Sequence, residues 1–255
     1  MRALSTPELL EAWERGLSRP QLERALLLLS AATGASPVAL AHLPVGERDA
    51  RLLNLREQTF GPQLTSFAQC PACSERMEMT FNVADLRVRS GPEEREQEIA
   101  TTVSTQQETH TLAVDVYEIS FRLPDSRDLL ALAPCVDVET ARSRLLARCL
   151  LKVRRETEEI AVEELPEDML NAISERMADV DPQADVRLAL TCASCAKSWE
   201  EIFDINSFFW TEISAWAKRV LADVHTLARA YGWRERDILE LSAWRREFYL
   251  SMAQG

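Results

Sequence analysis

Apolar residues recur every three or four positions through roughly the first sixty residues, which is the spacing of helices that bury one face. The Thr6-Pro7-Glu8 segment supplies an N-cap, a proline at the first helical position and an acid in the first turn. It predicts a helix that runs to about Gly16. The same spacing predicts a second helix from about Ser18 to Gly34 and a third from about Glu47 to Thr59.

Strict alternation of apolar and polar residues replaces the helical spacing in several short stretches. It runs from Met77 to Val83, from Val186 to Cys192 and from Trp199 to Ile205. A period of two is typical of strands with one buried face, so each stretch predicts a strand. A further alternating stretch, Leu112 to Leu123, changes phase near Tyr117 and predicts either a strand pair or one bent strand.

The middle of the chain combines a polar stretch with further helical spacing. Residues Arg89 to Gln107 are polar and charged, which predicts an exposed loop. Helical spacing then predicts helices over about Ser126–Ala133, Glu139–Val153 and Pro166–Ala178.

The longest helical pattern lies near the C-terminal end. Its apolar stripe, at spacings of three and four, consists of Phe209, Ile213, Trp216, Val220, Val224, Leu227 and Tyr231. Gly232 is the expected C-terminal cap, because glycine readily adopts the left-handed conformation that ends helices. Two shorter helices are predicted at about Glu235–Leu241 and Ala243–Met252.

Composition favours helices and restricts the class of partner. Only 7 of the 255 residues are glycine, which fits a helix-rich fold. The net charge of -12 repels a phosphate backbone, so general binding of nucleic acid is not expected. The sequence has no apolar stretch long enough to span a membrane and no apolar run of a secretory signal at its start. It therefore predicts a cytoplasmic protein without membrane contact, whose cysteines stay reduced.

Two Cys-x-x-Cys pairs form an internal repeat. The first pair is Cys70 and Cys73, and the second is Cys192 and Cys195. In both, a phenylalanine follows the second cysteine by eight positions and lies on an alternating stretch of the same phase. Each half therefore predicts a cysteine knuckle, a short turn and a strand, which is the layout of a zinc ribbon.

The four cysteines of the repeat predict one structural zinc ion per chain. Two residues between paired cysteines let both sulfurs face one ion, and four thiolates leave no open coordination position. The 118 residues between Cys73 and Cys192 exceed the roughly 15–20 of a compact ribbon, so residues 87–185 are predicted to be an insertion. Two alternatives remain, a redox-active pair or cysteines close by chance. The solitary Cys135 and Cys149 are predicted to be core residues.

Residues that would support an enzyme are sparse. His42, His110 and His225 have no acidic or cysteine partner at a useful spacing, and the sequence has no nucleophile elbow, phosphate-binding loop or zinc-protease motif. The sequence therefore predicts a protein without catalytic activity. Arg48 and Asp49 are interpreted as a charge pair on a solvated helix face.

Aromatic residues near the C-terminal end have two interpretations. They can form the core of the C-terminal helices, or they can form a docking surface, because aromatic residues are enriched where proteins bind partners. Phe208 and Trp210 flank Phe209 and cannot both share its buried face. The candidate docking residues are Phe208, Trp210, Trp233 and Trp244.

The order of several motifs resembles that of baseplate-associated proteins of contractile phage tails and related injection systems, similar to T4-type baseplate hub assembly proteins. The motifs are Gly46–Leu53, Thr59–Gly61, the Cys70 knuckle, Phe121–Pro124, Asp181-Pro182, the Cys192 knuckle, Trp210–Ile213, His225–Trp233 and Asp237–Leu239. The resemblance spans about residues 45–250. It implies assembly or completion of a baseplate through contacts with other baseplate or tail-hub proteins, without catalysis. For this bacterial cytoplasmic protein, it leaves two alternatives open, incorporation into a phage-tail-like particle or a role in assembly alone.

Together these patterns predict a helix-dominated α+β protein with a split four-cysteine zinc ribbon, a long α/β insertion and helical terminal segments. The predicted segments are an N-terminal helical segment (1–63), the first ribbon half (64–86), the insertion (87–185), the second ribbon half (186–206) and a C-terminal helical segment (207–255). The leading hypothesis is a zinc-stabilised structural or chaperone-like assembly protein. The alternatives are a zinc-ribbon adaptor or regulator that contacts nucleic acid, and a thiol redox protein.

Overall fold

The structure is a computed structural model that describes residues 1–88 and 108–253. The loop predicted for Arg89 to Gln107 lies outside the described residues. No helix in the described ranges is both long enough and apolar enough to cross a membrane.

The first sixty residues form four helices, which contribute to the larger of two hydrophobic cores. They are α1 (Thr6–Gly16), α2 (Gln21–Thr33), α3 (Pro37–Leu40) and α4 (Val45–Phe60). The three helices predicted from spacing are confirmed. The single turn of α3 was not predicted, because four residues are too few to show a period. Ser36 begins it by accepting a hydrogen bond from the backbone N–H of Ala39, and Pro37 occupies its first position.

A hairpin follows, made of β1 (Gln63–Gln69) and β2 (Arg76–Asn82), and the chain then forms the short helix α5 (Val83–Leu86). The strands are antiparallel, and Leu64 lies opposite Phe81. The strand predicted from Met77 is confirmed. Strand β1 was not predicted, because its sequence Gln-Leu-Thr-Ser-Phe-Ala-Gln carries few apolar residues. We call residues 63–82 the first hairpin.

The middle of the chain forms a four-stranded antiparallel sheet with three helices. Its elements are β3 (Thr109–Val114), β4 (Tyr117–Arg122), α6 (Ser126–Leu132), α7 (Val138–Cys149), β5 (Leu150–Arg155), β6 (Glu158–Glu159) and α8 (Glu167–Val180). The strand-pair form of the Leu112 to Leu123 prediction is confirmed, with the turn just before Tyr117. We call residues 109–180 the insertion unit.

The helix predicted for Glu139–Val153 is wrong at its C-terminal end. Helix α7 stops at Cys149, and the next residues form β5, which pairs with β4. Apolar residues at 146, 149, 150 and 153 fit a helical period as well as a strand. Pairing with β4 and burial of Val153 decide between them, as tertiary context commonly does for short apolar runs.

The chain ends with a second hairpin and three helices. The elements are β7 (Arg187–Thr191), β8 (Ser198–Ile202), α9 (Ile205–Tyr231), α10 (Glu235–Leu239) and α11 (Ala243–Ala253). Residues 186–203, whose ends are joined by a hydrogen bond from the Phe203 N–H to the Val186 carbonyl, are called the second hairpin. The predicted strands and helices are confirmed. Gly232 closes α9 in the left-handed conformation, with a φ of 69°, as its identity predicted.

Two separate hydrophobic cores hold the molecule together. In the larger, α9 packs against α1, α2 and α4, and its fully buried residues include Leu29, Leu55 and Phe209. The smaller core lies inside the insertion unit and includes Phe121 and Ile173. Within the described ranges, no buried residue belongs to both cores. We call residues 1–86 and 182–253, which contain the larger core, the main body.

Helix α4 carries buried arginines, and this corrects one expectation from the sequence. Arg48 is 2% exposed and donates hydrogen bonds to Asp49 and to the Ser126 hydroxyl, at 2.8 and 3.2 Å. The interpretation of Arg48 and Asp49 as a pair on a solvated face is therefore wrong. Arg56 is also buried and forms two hydrogen bonds with the Glu212 carboxylate of α9, at 2.8 and 2.7 Å. Such a two-point contact ties the two helices together at a fixed angle.

Candidate metal centre

Each cysteine pair lies in the turn of one hairpin, and the two turns have the same hydrogen bonds. In the first, the Cys70 N–H donates to the Glu75 carbonyl, and the Ser74 N–H donates to the Cys70 carbonyl, both at 2.9 Å. The same two contacts recur in the second hairpin, also at 2.9 Å, from the Cys192 N–H and from the Ala196 N–H. The internal repeat found in the sequence therefore extends to the backbone.

The turns share a strained position four residues after the first cysteine. Ser74 has a φ of 61° and Ala196 a φ of 58°, in the left-handed region that favours glycine. Residue type does not predict this conformation, since neither residue is glycine or asparagine. The conformation follows from the shape of the turn, which bends the chain back so that the second strand can pair with the first.

Replacing Ala196 by glycine should relieve this strain. We expect the free energy of unfolding to rise by up to about 1 kcal/mol. The left-handed conformation costs a residue with a Cβ about 1–2 kcal/mol, and glycine removes that cost. Part of the gain is lost because glycine also increases the conformational entropy of the unfolded chain. Chemical denaturation of the metal-loaded protein measures it. The control is Ala193→Gly, at a position without positive φ in the same turn. Equal shifts in both variants would contradict the explanation.

The four sulfurs of the repeat meet at one point. The Sγ atoms of Cys70 and Cys195 are 3.6 Å apart, as are those of Cys73 and Cys192, and all four lie within 4.8 Å of one another. Four sulfurs about 2.3 Å from a zinc ion in a tetrahedron would be about 3.8 Å apart. This group is the one set of three or more possible ligands found in the described ranges. The four cysteines could therefore hold a metal ion.

The site lies at the edge of the molecule, with an inner and an outer cysteine from each hairpin. Cys70 and Cys192 are buried, whereas Cys73 and Cys195 are exposed. A second contact joins the hairpins closer to the main core, where Phe81 and Phe203 meet edge to face with ring centres 5.8 Å apart. The two phenylalanines pack against the larger core, and the four cysteine sulfurs lie together at the tips of the hairpins.

The thiols influence one another strongly. Burial acts to raise the pKa of Cys70, but two backbone amides of its own knuckle and neighbouring thiols lower it to about 6. The Glu75 amide acts to lower the pKa of Cys73, whereas the thiols of Cys195 and Cys192 raise it, to about 12. One thiolate therefore forms readily, whereas the raised pKa values of Cys73 and Cys195 make these two thiols resist losing their protons. A bound cation would remove that resistance by compensating the negative charge.

The two remaining cysteines lie apart from the cluster. Cys149 is fully buried in the insertion unit, as predicted, and burial raises the pKa of its thiol to about 12. The prediction that Cys135 is a core residue is wrong, since it lies half-buried in the connection between α6 and α7. Among the histidines, His225 is exposed on α9 and His110 lies on the edge strand β3.

Two of the four candidate docking residues pack within the chain. Trp210 is 8% exposed and lies against Gly16, where an added Cβ would come within 2.3 Å of the indole ring. Phe208 contacts Phe203 of the second hairpin, with ring centres 5.4 Å apart, and lies beneath the Arg56 guanidinium. The start of α9 is thus fixed to the second hairpin and to α1.

The other two candidates belong to a row of aromatic rings at the C-terminal end. Trp233 stacks on Tyr231 and meets Tyr249 edge to face, with ring centres 4.7 and 4.9 Å apart. Trp244 is 72% exposed and stacks on Phe248, which is 50% exposed. Phe248 was not predicted as a surface residue. Its spacing of four from Trp244 was a signal for it, but Tyr249 and Leu250 made the other face of α11 look equally apolar.

The fold and the site define a mixed helix-and-sheet protein in which two hairpins, distant in sequence, bring together four cysteines that could hold a metal ion. The family model of the T4 bacteriophage base plate protein matches residues 16–210, which is more than half of the chain. The protein therefore belongs to this family of phage baseplate proteins, and the resemblance to phage baseplate proteins noted from its sequence is confirmed. Comparisons with curated proteins and with solved structures gave no match.

The matched range shows which parts of the chain are shared with the family. It contains both hairpins, all four cysteines of the cluster and the insertion unit, and it ends inside α9. Helices α10 and α11 follow the matched range. The exposed Trp244 and Phe248 both lie on α11.

Proposed function

We propose that this chain is a non-catalytic structural or chaperone-like assembly protein of a phage-type baseplate or contractile injection system. The observation that carries the proposal is the family match over residues 16–210. The protein works through contacts with other baseplate or tail-hub proteins. Its two hydrophobic cores and its long helix α9 supply a firm scaffold for such contacts.

The metal of the site, in this proposal, is one structural zinc ion. Four sulfur donors suit zinc rather than magnesium or calcium, which prefer oxygen. The distances of 3.6 Å between facing sulfurs are close to the spacing that tetrahedral zinc requires. The two hairpins would then form a split zinc ribbon, whose ion fixes the second hairpin, and with it the start of α9, against the first.

The absence of catalysis is part of the same proposal. Four thiolates around zinc fill its coordination sphere, so no position is left for water or a substrate. The net charge of -12 supports proteins rather than nucleic acid as partners.

We propose that the exposed aromatic pair on α11, Trp244 and Phe248, forms part of the surface that binds partner proteins. Replacing Trp244 and Phe248 together by serine should leave the free energy of unfolding within about 0.5 kcal/mol of the wild type, because both side chains are exposed. Baseplate assembly should fall sharply, because exposed aromatic residues commonly supply most of the binding energy of an interface.

The test uses a host that expresses the whole tail gene cluster with the gene for this chain deleted. Wild-type or variant chain is supplied from a plasmid, and complete baseplates are counted by electron microscopy. The control is Val38→Ser, since Val38 is 73% exposed on α3, and it should restore assembly fully. Complete baseplates in the deleted host without any plasmid would contradict the proposed function. Full rescue by the double serine variant would contradict only the docking surface.

A further inference from the structure

Within the described residues, the insertion unit contacts the main body at the first turn of α4. Two hydrogen bonds cross there, from the Val45 N–H to the Pro124 carbonyl and from Arg48 to the Ser126 hydroxyl, at 3.0 and 3.2 Å. A third, from the Gly46 N–H to the Asp181 carboxylate at 2.9 Å, reaches the chain connection between the two units. All three donors belong to four consecutive residues. They therefore lie around one point and not across an extended face.

The contact between Gly46 and Asp181 depends on the missing side chain of glycine. A Cβ on Gly46 would lie 1.8 Å from the Asp181 Oδ1 atom and 3.0 Å from the Ala184 backbone nitrogen. Asp181 stands immediately after the last helix of the insertion unit, at the described chain connection between that unit and the main body. The backbone of α4 and this connection are thus in direct contact.

Apolar packing across the joint is weak. The two hydrophobic cores share no buried residue in the described ranges. A cavity of about 130 Å³ lies beside the joint, lined by Pro44, Glu108, His110, Leu123 and Val180 among the described residues. Among the described residues, the buried His110 Nε2 atom has no hydrogen-bond partner. Small, polar contacts between units are those that permit relative motion, whereas large apolar ones prevent it.

We propose that the insertion unit turns as a rigid body on the main body, with the first turn of α4 as its pivot. The sheet and helices of each unit keep their own cores during the motion. Among the described residues, the change is confined to Asp181, the 124–126 segment and the start of α4. The device gives the protein two rigid surfaces whose relative angle can adapt to a partner. It goes beyond the proposed function and does not depend on it.

Residual dipolar couplings of backbone amides test this in the metal-loaded full chain. Couplings from residues 109–180 and from the main body are fitted separately and then together. We expect each unit to fit its own alignment tensor, the smaller unit to show the weaker alignment, and a common tensor to fit poorly. One tensor that fits all residues as well as two would overturn the proposal.

A pair of glycine variants provides the matched comparison. Gly46→Ala should disturb the pivot and increase the difference between the two tensors. Gly16→Ala introduces a similar clash, against Trp210, but inside the main body, so it should leave that difference unchanged. A Gly16→Ala variant that changes the inter-unit alignment as much as Gly46→Ala would also overturn the proposal. If Gly46→Ala fails to fold, the wild-type couplings alone decide.

Discussion

Replacing Cys192 by serine should abolish stoichiometric zinc binding and lower the free energy of unfolding by about 5 kcal/mol or more. Structural zinc contributes about 10 kcal/mol or more in small peptides, and a serine hydroxyl is a poor substitute for a thiolate ligand. Cys192 is buried and lies 3.6 Å from Cys73 of the other hairpin. Its loss therefore removes the sulfur contact between the hairpin tips as well as one member of the ligand set.

The effect should be large because the site joins segments far apart in sequence. The 118 residues between Cys73 and Cys192 form a long loop in the unfolded chain, and closing it costs entropy that metal binding must offset. Without the ion, the contact of Phe81 with Phe203 remains, and the helical core remains. We therefore expect the hairpins to loosen first, with a lower midpoint in thermal unfolding.

The measurement is metal content by plasma mass spectrometry on protein purified without chelator, together with thermal unfolding. Wild type should contain one zinc per chain, and a chelator should lower its midpoint to that of Cys192→Ser. Cys135→Ser is the control, since Cys135 is half-buried and outside the cluster, and it should keep its zinc. Zinc-free wild type with four free thiols in the cluster would contradict the assignment and favour the redox alternative.

The cysteine cluster could be predicted because its signal is local and repeated. Two residues between paired cysteines and a matching strand after each pair are visible without any knowledge of the fold. The strand before Cys70 was missed because Gln63 to Gln69 has no clear alternation. Its strand conformation comes from pairing with β2. The same reason explains β5, where pairing with β4 overrides a helical period.

Contacts between residues far apart in sequence account for the remaining differences between the sequence predictions and the structure. Arg48 is adjacent to Asp49, which suggested an exposed pair, but Ser126 of the insertion unit covers it from a place 78 positions later in the chain. Trp210 was a docking candidate because its neighbour Phe209 faces the core. In the fold, Gly16 leaves space for its ring, so both aromatic residues find room inside the molecule. No periodicity within one segment contains that information.

Replacing Asp128 by asparagine should lower the free energy of unfolding by about 2–3 kcal/mol, because it removes the buried counter-charge of the partly exposed Arg122 and Arg148 guanidinium groups. The Asp128 carboxylate is fully buried in the insertion unit. It accepts two hydrogen bonds from Arg122 at 2.6 and 2.8 Å, one from Arg148 at 2.8 Å and one from the Asp125 N–H at 3.0 Å. Asparagine keeps the shape but loses the charge and one acceptor.

The dependence of stability on pH gives an independent check of this ion pair. Burial acts to raise the pKa of Asp128, but Arg122, the Asp125 amide and Arg148 lower it to about 2, from an ordinary value of 3.8. Because the pKa is lower in the folded protein, the stabilisation is complete above about pH 4 and is lost as the pH falls through 2. The stabilisation amounts to about 2 kcal/mol.

Urea denaturation between pH 7 and pH 2 should show this dependence of stability on pH in wild type and a weaker one in Asp128→Asn. Asp137→Asn, an exposed N-cap that asparagine can replace, should behave like wild type at pH 7. Equal stability of Asp128→Asn and Asp137→Asn would show that the buried network contributes little, and that the smaller core alone holds the insertion unit together.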